Sequence, residues 1–128
     1  MSRFAASTAD ERRALIVDAI AAHRDRTSAF CTLEIEPVDQ ETPPPWIQYA
    51  DGVLNLDCTD DELDRLKDVL ERFPAMTIDE LTRPENAEGT NVRVAARADD
   101  DRVAEAVDTI VREVYERPPD YRLWATEI

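Results

Sequence analysis

The chain has 128 residues, of which 43% are apolar and 34% charged, and its only two glycines are Gly52 and Gly89. One domain over residues 1–128 is the expectation at this length, with a core large enough to form without metal or disulfide staples. Two isolated glycines exclude Walker and dinucleotide-binding loops. A single histidine, His23, and two cysteines, Cys31 and Cys58, exclude zinc fingers and His-rich hydrolase sites.

The first seven residues carry one arginine and no apolar run, so they do not read as a secretion signal. Thr8-Ala9-Asp10-Glu11 has capping-box spacing and predicts a helix to about His23 or Arg26, with Leu15, Ile16, Ala19, Ile20 and His23 inward. Ala29 to Glu36 alternates: Ala29, Cys31, Leu33 and Ile35 share one face, and Thr32, Glu34 and Glu36 the other, as in a half-buried strand. Val38 to Pro45 ends in three prolines and reads as a stiff polyproline connection.

Trp46 to Cys58 is the clearest hairpin. Asp51-Gly52 suits the positive backbone angles of a type I′ turn, which would pair Ala50 with Val53, Tyr49 with Leu54 and Ile47 with Leu56. Thr59-Asp60-Asp61-Glu62 is a second capping box and opens a helix to about Phe73. Its stripe is Leu63, Leu66, Leu70 and Phe73, with Asp61/Arg65 and Asp68/Arg72 spaced for ion pairs. Met76 to Arg83 and Thr90 to Arg97 read as strands. Asp99 caps a third helix to about Glu116, with Val103, Ala106, Val107, Ile110, Val111 and Val114 inward, and Pro118-Pro119 stop it. Tyr121 to Glu127 can form a last strand.

After the Asp51-Gly52 turn the order is strand, helix, strand, strand, helix, strand. This predicts an α+β fold, a ferredoxin-like (split βαβ) core with an added N-terminal helix and extra N-terminal strands on a mostly antiparallel sheet. One conflict is built in. In that core the first strand lies between the third and fourth, so a fully paired Trp46–Cys58 hairpin must displace one neighbour. The hairpin register is the firmer of the two expectations.

Sixteen Asp and thirteen Glu oppose fourteen Arg and one Lys, Lys67, for a net charge of −14. This composition resembles that of small acidic haloarchaeal proteins of unassigned function, and the resemblance implies life in molar salt. There the Debye length is about 3 Å and the self-repulsion of an acidic surface is screened. No run approaches the ~20 apolar residues of a membrane span, so a cytoplasmic protein with reduced thiols and no membrane contact is expected.

Alternation places Trp46, Gln48, Asn55, Asp57, Arg93 and Arg97 on the sheet face away from the two later helices, with Arg122 and Trp124 joining them. Tryptophan and arginine are the residues most enriched at binding hot spots. The N-terminal helix could cover this face, a second subunit could, or a ligand or single-stranded nucleic acid could occupy it. Nucleic acid is disfavoured by the net charge and by the lack of an RNP-like motif.

The carboxylates Asp57, Asp60, Asp61 and Glu62 lack calcium-loop spacing, and Asp60, Asp61, Glu62 and Asp99–Asp101 suit helix first turns instead. Nothing places Cys58 beside His23, and Ser2, Ser7 and Ser28 lack a nucleophile-elbow context. No catalytic, metal or cofactor residues are assigned. The expected function is a non-enzymatic interaction module that self-associates or docks a protein partner through Trp46, Gln48, Asn55, Arg93, Arg97, Arg122 and Trp124. The alternative is a regulatory domain with a small-ligand pocket between the N-terminal helix and the sheet.

Overall fold

A computed structural model describes residues 4–26, 30–37, 44–85 and 89–126. The elements are β1 (Phe4–Ala6), α1 (Ala9–Arg26), β2 (Cys31–Ile35), β3 (Trp46–Ala50), β4 (Val53–Cys58), α2 (Asp60–Leu70), β5 (Met76–Thr82), β6 (Thr90–Ala96), α3 (Asp100–Glu113) and β7 (Leu123–Thr126). The strands form one antiparallel sheet in the order β1-β7-β2-β3-β4-β6-β5.

The three helices pack on one face of this sheet. α1 lies against α3 and the β1, β7, β2 side, and α2 lies against α3 and β4. Between the layers Ile16, Ile20, Leu66, Val107 and Ile110 meet Leu33, Ile47, Leu54, Leu56, Val92, Val94 and Leu123, all essentially free of solvent. Each such side chain is worth about 1.5–3 kcal/mol of burial, so this inter-layer core dominates the fold's stability.

Local chemistry explains the boundaries. Thr59 Oγ1 accepts from Glu62 N at 3.2 Å and Glu62 Oε1 accepts from Thr59 N at 2.8 Å, a complete capping box. Asp99 accepts from Arg102 N at the start of α3, and Thr8 from Glu11 N at the start of α1. At the β3–β4 turn Asp51 and Gly52 have φ of 48° and 78°, and the pairs Ile47–Leu56, Gln48–Asn55, Tyr49–Leu54 and Ala50–Val53 form as the turn demands.

The α+β class and the antiparallel sheet are as expected, but the strand order departs from the ferredoxin-like one. β4, β6 and β5 take their split-βαβ places, whereas β7 pairs with β2 and is separated from β4 by β2 and β3. The fully paired hairpin occupies the edge of β4 that β7 would need. β1 is an added edge strand, and its three residues are too few to show alternation in the sequence. Arg65 and Arg72 turn from the expected helical partners to the end of α3. Arg65 donates to Val114 O at 2.9 Å, and Arg72 donates to Glu113 at 2.6 Å. Of the expected polyproline connection only Pro44 and Pro45 fall within the described residues, and Ala29 and Glu127 of the expected strands lie outside them.

Candidate functional site

The sheet face away from the helices is uncovered among the described residues, and strand register sorts it into rows. The central row is polar: Thr126, Thr32, Gln48, Asn55, Arg93 and Glu80 lie side by side across six strands. Gln48 Nε2 donates to Thr32 Oγ1 at 3.4 Å, and Arg93 stands 3.8 Å from Glu80. Toward the β3–β4 turn the next row is apolar, with Ala50 paired to Val53 and Val53 to Ala95, and Phe30 completing a shallow hollow of about 300 Å³ over them. Toward the other end, Trp124 pairs with Glu34 and Glu34 with Trp46.

Strand register puts Trp46, Gln48, Asn55, Asp57, Arg93 and Trp124 on this face, but not as one cluster. Trp46 and Trp124 share a row with Glu34 between them, and the Arg122 guanidinium stands 5.4 Å from the centre of the Trp124 ring. Gln48, Asn55 and Arg93 form the middle of the polar row. Asn91, which the sequence reading assigned no role, donates to Asn55 at 2.8 Å and Asp57 at 2.9 Å, tying two expected residues together. Arg97 lies beyond the end of β6, about 20 Å along the strand direction from Asn91, which belongs to the tryptophan end. It does not join the tryptophans.

α1 does not cover this face. It lies with α3 on the opposite side, because its stripe of Leu15, Ile16, Ala19, Ile20 and His23 is buried there. Between α1 and the sheet, where a small-ligand pocket is the alternative expectation, Ile16, Ile20, Leu33 and Leu123 are buried, with no more than 1% of any of them exposed.

The Cys/His pair is not assembled. His23 packs edge-on to Tyr49, with ring centres 5.8 Å apart. Cys58 lies at the other end of the sheet, near Tyr115, whose hydroxyl donates to Asp57 O at 2.7 Å. Burial pushes the Cys58 thiol up to about 12 and the Cys31 thiol up to about 11, so neither is a thiolate near neutrality. No group of His, Cys, Asp and Glu that could hold a metal ion occurs among the described residues. Glu62 is engaged in its capping box and Asp60 with Arg83 at 2.5 Å.

Two features escaped the sequence reading. The first is Arg12, fully buried at the start of α1. It donates to Asp108 Oδ1 at 2.9 Å and to the carbonyl oxygens of Ser7, Tyr121 and Pro119 at 2.8–3.0 Å. Tyr121 stacks beneath the guanidinium and also donates to Asp108, whose second oxygen accepts from Arg112. Every contact is internal, so this is a latch between α1, α3 and the approach to β7. Its signal was present, since Arg12 continues the stripe of Leu15, Ile16 and Ala19 one turn back. The second is a cleft of about 350 Å³ between Pro44, Pro45, Trp46 and the end of α3 at Tyr115 and Arg117. Glu116, at φ 55°, turns the chain there.

The chain belongs to the family of unknown function DUF7975, whose model matches residues 1–128. No curated protein and no solved structure shows significant similarity to it.

Proposed function

We propose that this chain is a non-enzymatic interaction module that associates with a second copy of itself through the open sheet face. The observation that carries this reading is the row of Phe30, Ala50, Val53 and Ala95 on the side of the sheet that no described helix covers. A wet face of an antiparallel sheet is ordinarily polar at alternate positions, and here that alternation fails. Gln48, Asn55 and Arg93 stand beside the row and supply the polar margin that interfaces need.

Charge supports a second copy as the occupant. Arg93 and Arg97 stand near this row and Glu80 is paired with Arg93, so this part of the face carries little of the chain's fourteen-fold negative surplus. Two copies repel each other least where these faces meet. The same reading sets the molecule in a salt-rich, reducing cytoplasm, supported by the aspartate-rich, lysine-poor composition and by two free, buried thiols.

Light scattering in about 2 M KCl tests it, since at that salt the long-range repulsion is screened. The parent is expected to be dimeric and Val53→Arg monomeric, with the variant's melting temperature close to the parent's. A parent that stays monomeric at every concentration overturns the reading.

A further inference from the structure

The register at the far end of the sheet sets up a different kind of site, one that does not depend on self-association. Glu34 pairs with Trp46 on one side and with Trp124 on the other. All three side chains belong to the open face, because their neighbours Ile35, Ile47 and Leu123 point into the core. Strands two apart in a sheet are about 9.6 Å apart, so the strand of Glu34 runs about 4.8 Å from the strand of each tryptophan. That is within the roughly 6 Å over which an aromatic ring attracts a cation.

The surroundings complete a receptor. Pro37, Pro44 and Pro45 wall the cleft of about 270 Å³ that contains Glu34 and both tryptophans. Both indoles are partly exposed and Glu34 is exposed. Among the described residues Glu34 has no ion-pair partner, whereas Asp60, Glu80 and Asp100 each have one. The Arg122 guanidinium over Trp124 already shows one of these rings in contact with a cation.

The chemistry of the walls selects the ligand. One carboxylate offers too few oxygens for a metal ion, which needs six or more if it is calcium. A primary ammonium is strongly hydrated and would find one acceptor in place of its water shell. An N-methylated ammonium is weakly hydrated, has an apolar surface that matches indole and proline, and needs only one opposing charge. We propose that Trp46, Glu34 and Trp124 form an aromatic cage for a methylated ammonium group, carried by a small molecule or by a methylated lysine side chain.

Ligand-observed NMR of the methyl protons tests this on the full chain, with tetramethylammonium replacing potassium at constant total chloride. Saturable binding is expected for the parent. Trp46→Ala and Trp124→Ala should each weaken it at least about tenfold, and Glu34→Gln should weaken it severalfold while leaving the melting temperature unchanged. Glycine betaine, whose own carboxylate would meet Glu34, should bind more weakly than choline. Choline and a trimethyl-lysine peptide then separate the two sources by which saturates at lower concentration. Signals that never saturate, or saturation that survives both Glu34→Gln and Trp124→Ala, overturn the proposal. Val53→Arg lies in another row and should bind as the parent does, so the cage and the dimer fail independently.

Discussion

Arg12 donates four hydrogen bonds, at least one from each of its nitrogens, from a site with no solvent exposure, and that is what makes a buried charge tolerable. Removing it takes one of Asp108's three donors and the partner of the buried Tyr121 carbonyl, and leaves the Ser7 and Pro119 carbonyls unpaired at the rim. Arg12→Met should therefore cost about 3–5 kcal/mol, read as a lower urea midpoint in molar KCl. A loss under about 1 kcal/mol, the worth of an ordinary exposed pair, would show that the latch is incidental. The cysteines behave in the opposite sense. Their thiols are neutral when buried, and the folded chain holds both protons above the usual value of 9.0. Stability from them is complete below pH 9.0 and is lost as pH rises toward about 11 for Cys31 and about 12 for Cys58. Unfolding at fixed urea should steepen above pH 9.0, and Cys58→Ala should flatten that slope. Both thiols should resist iodoacetamide in the folded chain and react on unfolding.

At the scale of elements, caps and turns do most of the specifying. Thr59→Ala removes the side-chain acceptor of the α2 capping box, leaving Glu62 N without its partner, and should cost about 1 kcal/mol by thermal unfolding. Glu116 carries a backbone conformation that favours glycine, so Glu116→Gly should be neutral or stabilise by up to about 1 kcal/mol. If it destabilises instead, the Glu116 side chain, 3.6 Å from Arg65, is holding the end of α3. These same devices decided what could be read from the sequence. The β3–β4 hairpin was legible to the residue because Asp51-Gly52 fixes its register, and the helix starts were legible from Thr8, Thr59 and Asp99. The strand order was not, because alternation in Leu123–Thr126 says which face is buried but not which edge it joins. The open face could be listed by parity from Trp46 to Arg97. Its division into rows could not, since the apolar row and the Trp46–Glu34–Trp124 juxtaposition depend on which strands are neighbours. Arg12 is not legible from the apolar stripe alone, because what buries it is the Asp108 carboxylate and the Tyr121 ring, which come from distant parts of the chain.

For the whole molecule the surplus of fourteen negative charges works against compactness in dilute buffer. Exposed ion pairs offset it little: Arg24–Asp100 and Arg72–Glu113 are largely solvated and weak. The melting temperature should rise from low salt to molar KCl, and equal values at the two salts would remove the halophilic reading. The central claim is that the open sheet face is where copies meet. Backbone amide shifts recorded against protein concentration, in molar KCl, test it most directly. The account predicts that Phe30, Ala50, Val53 and Ala95 move on dilution while Asp18 and Arg112 on the helix layer stay still. Movement centred on the helix layer, or none at any concentration, would contradict it.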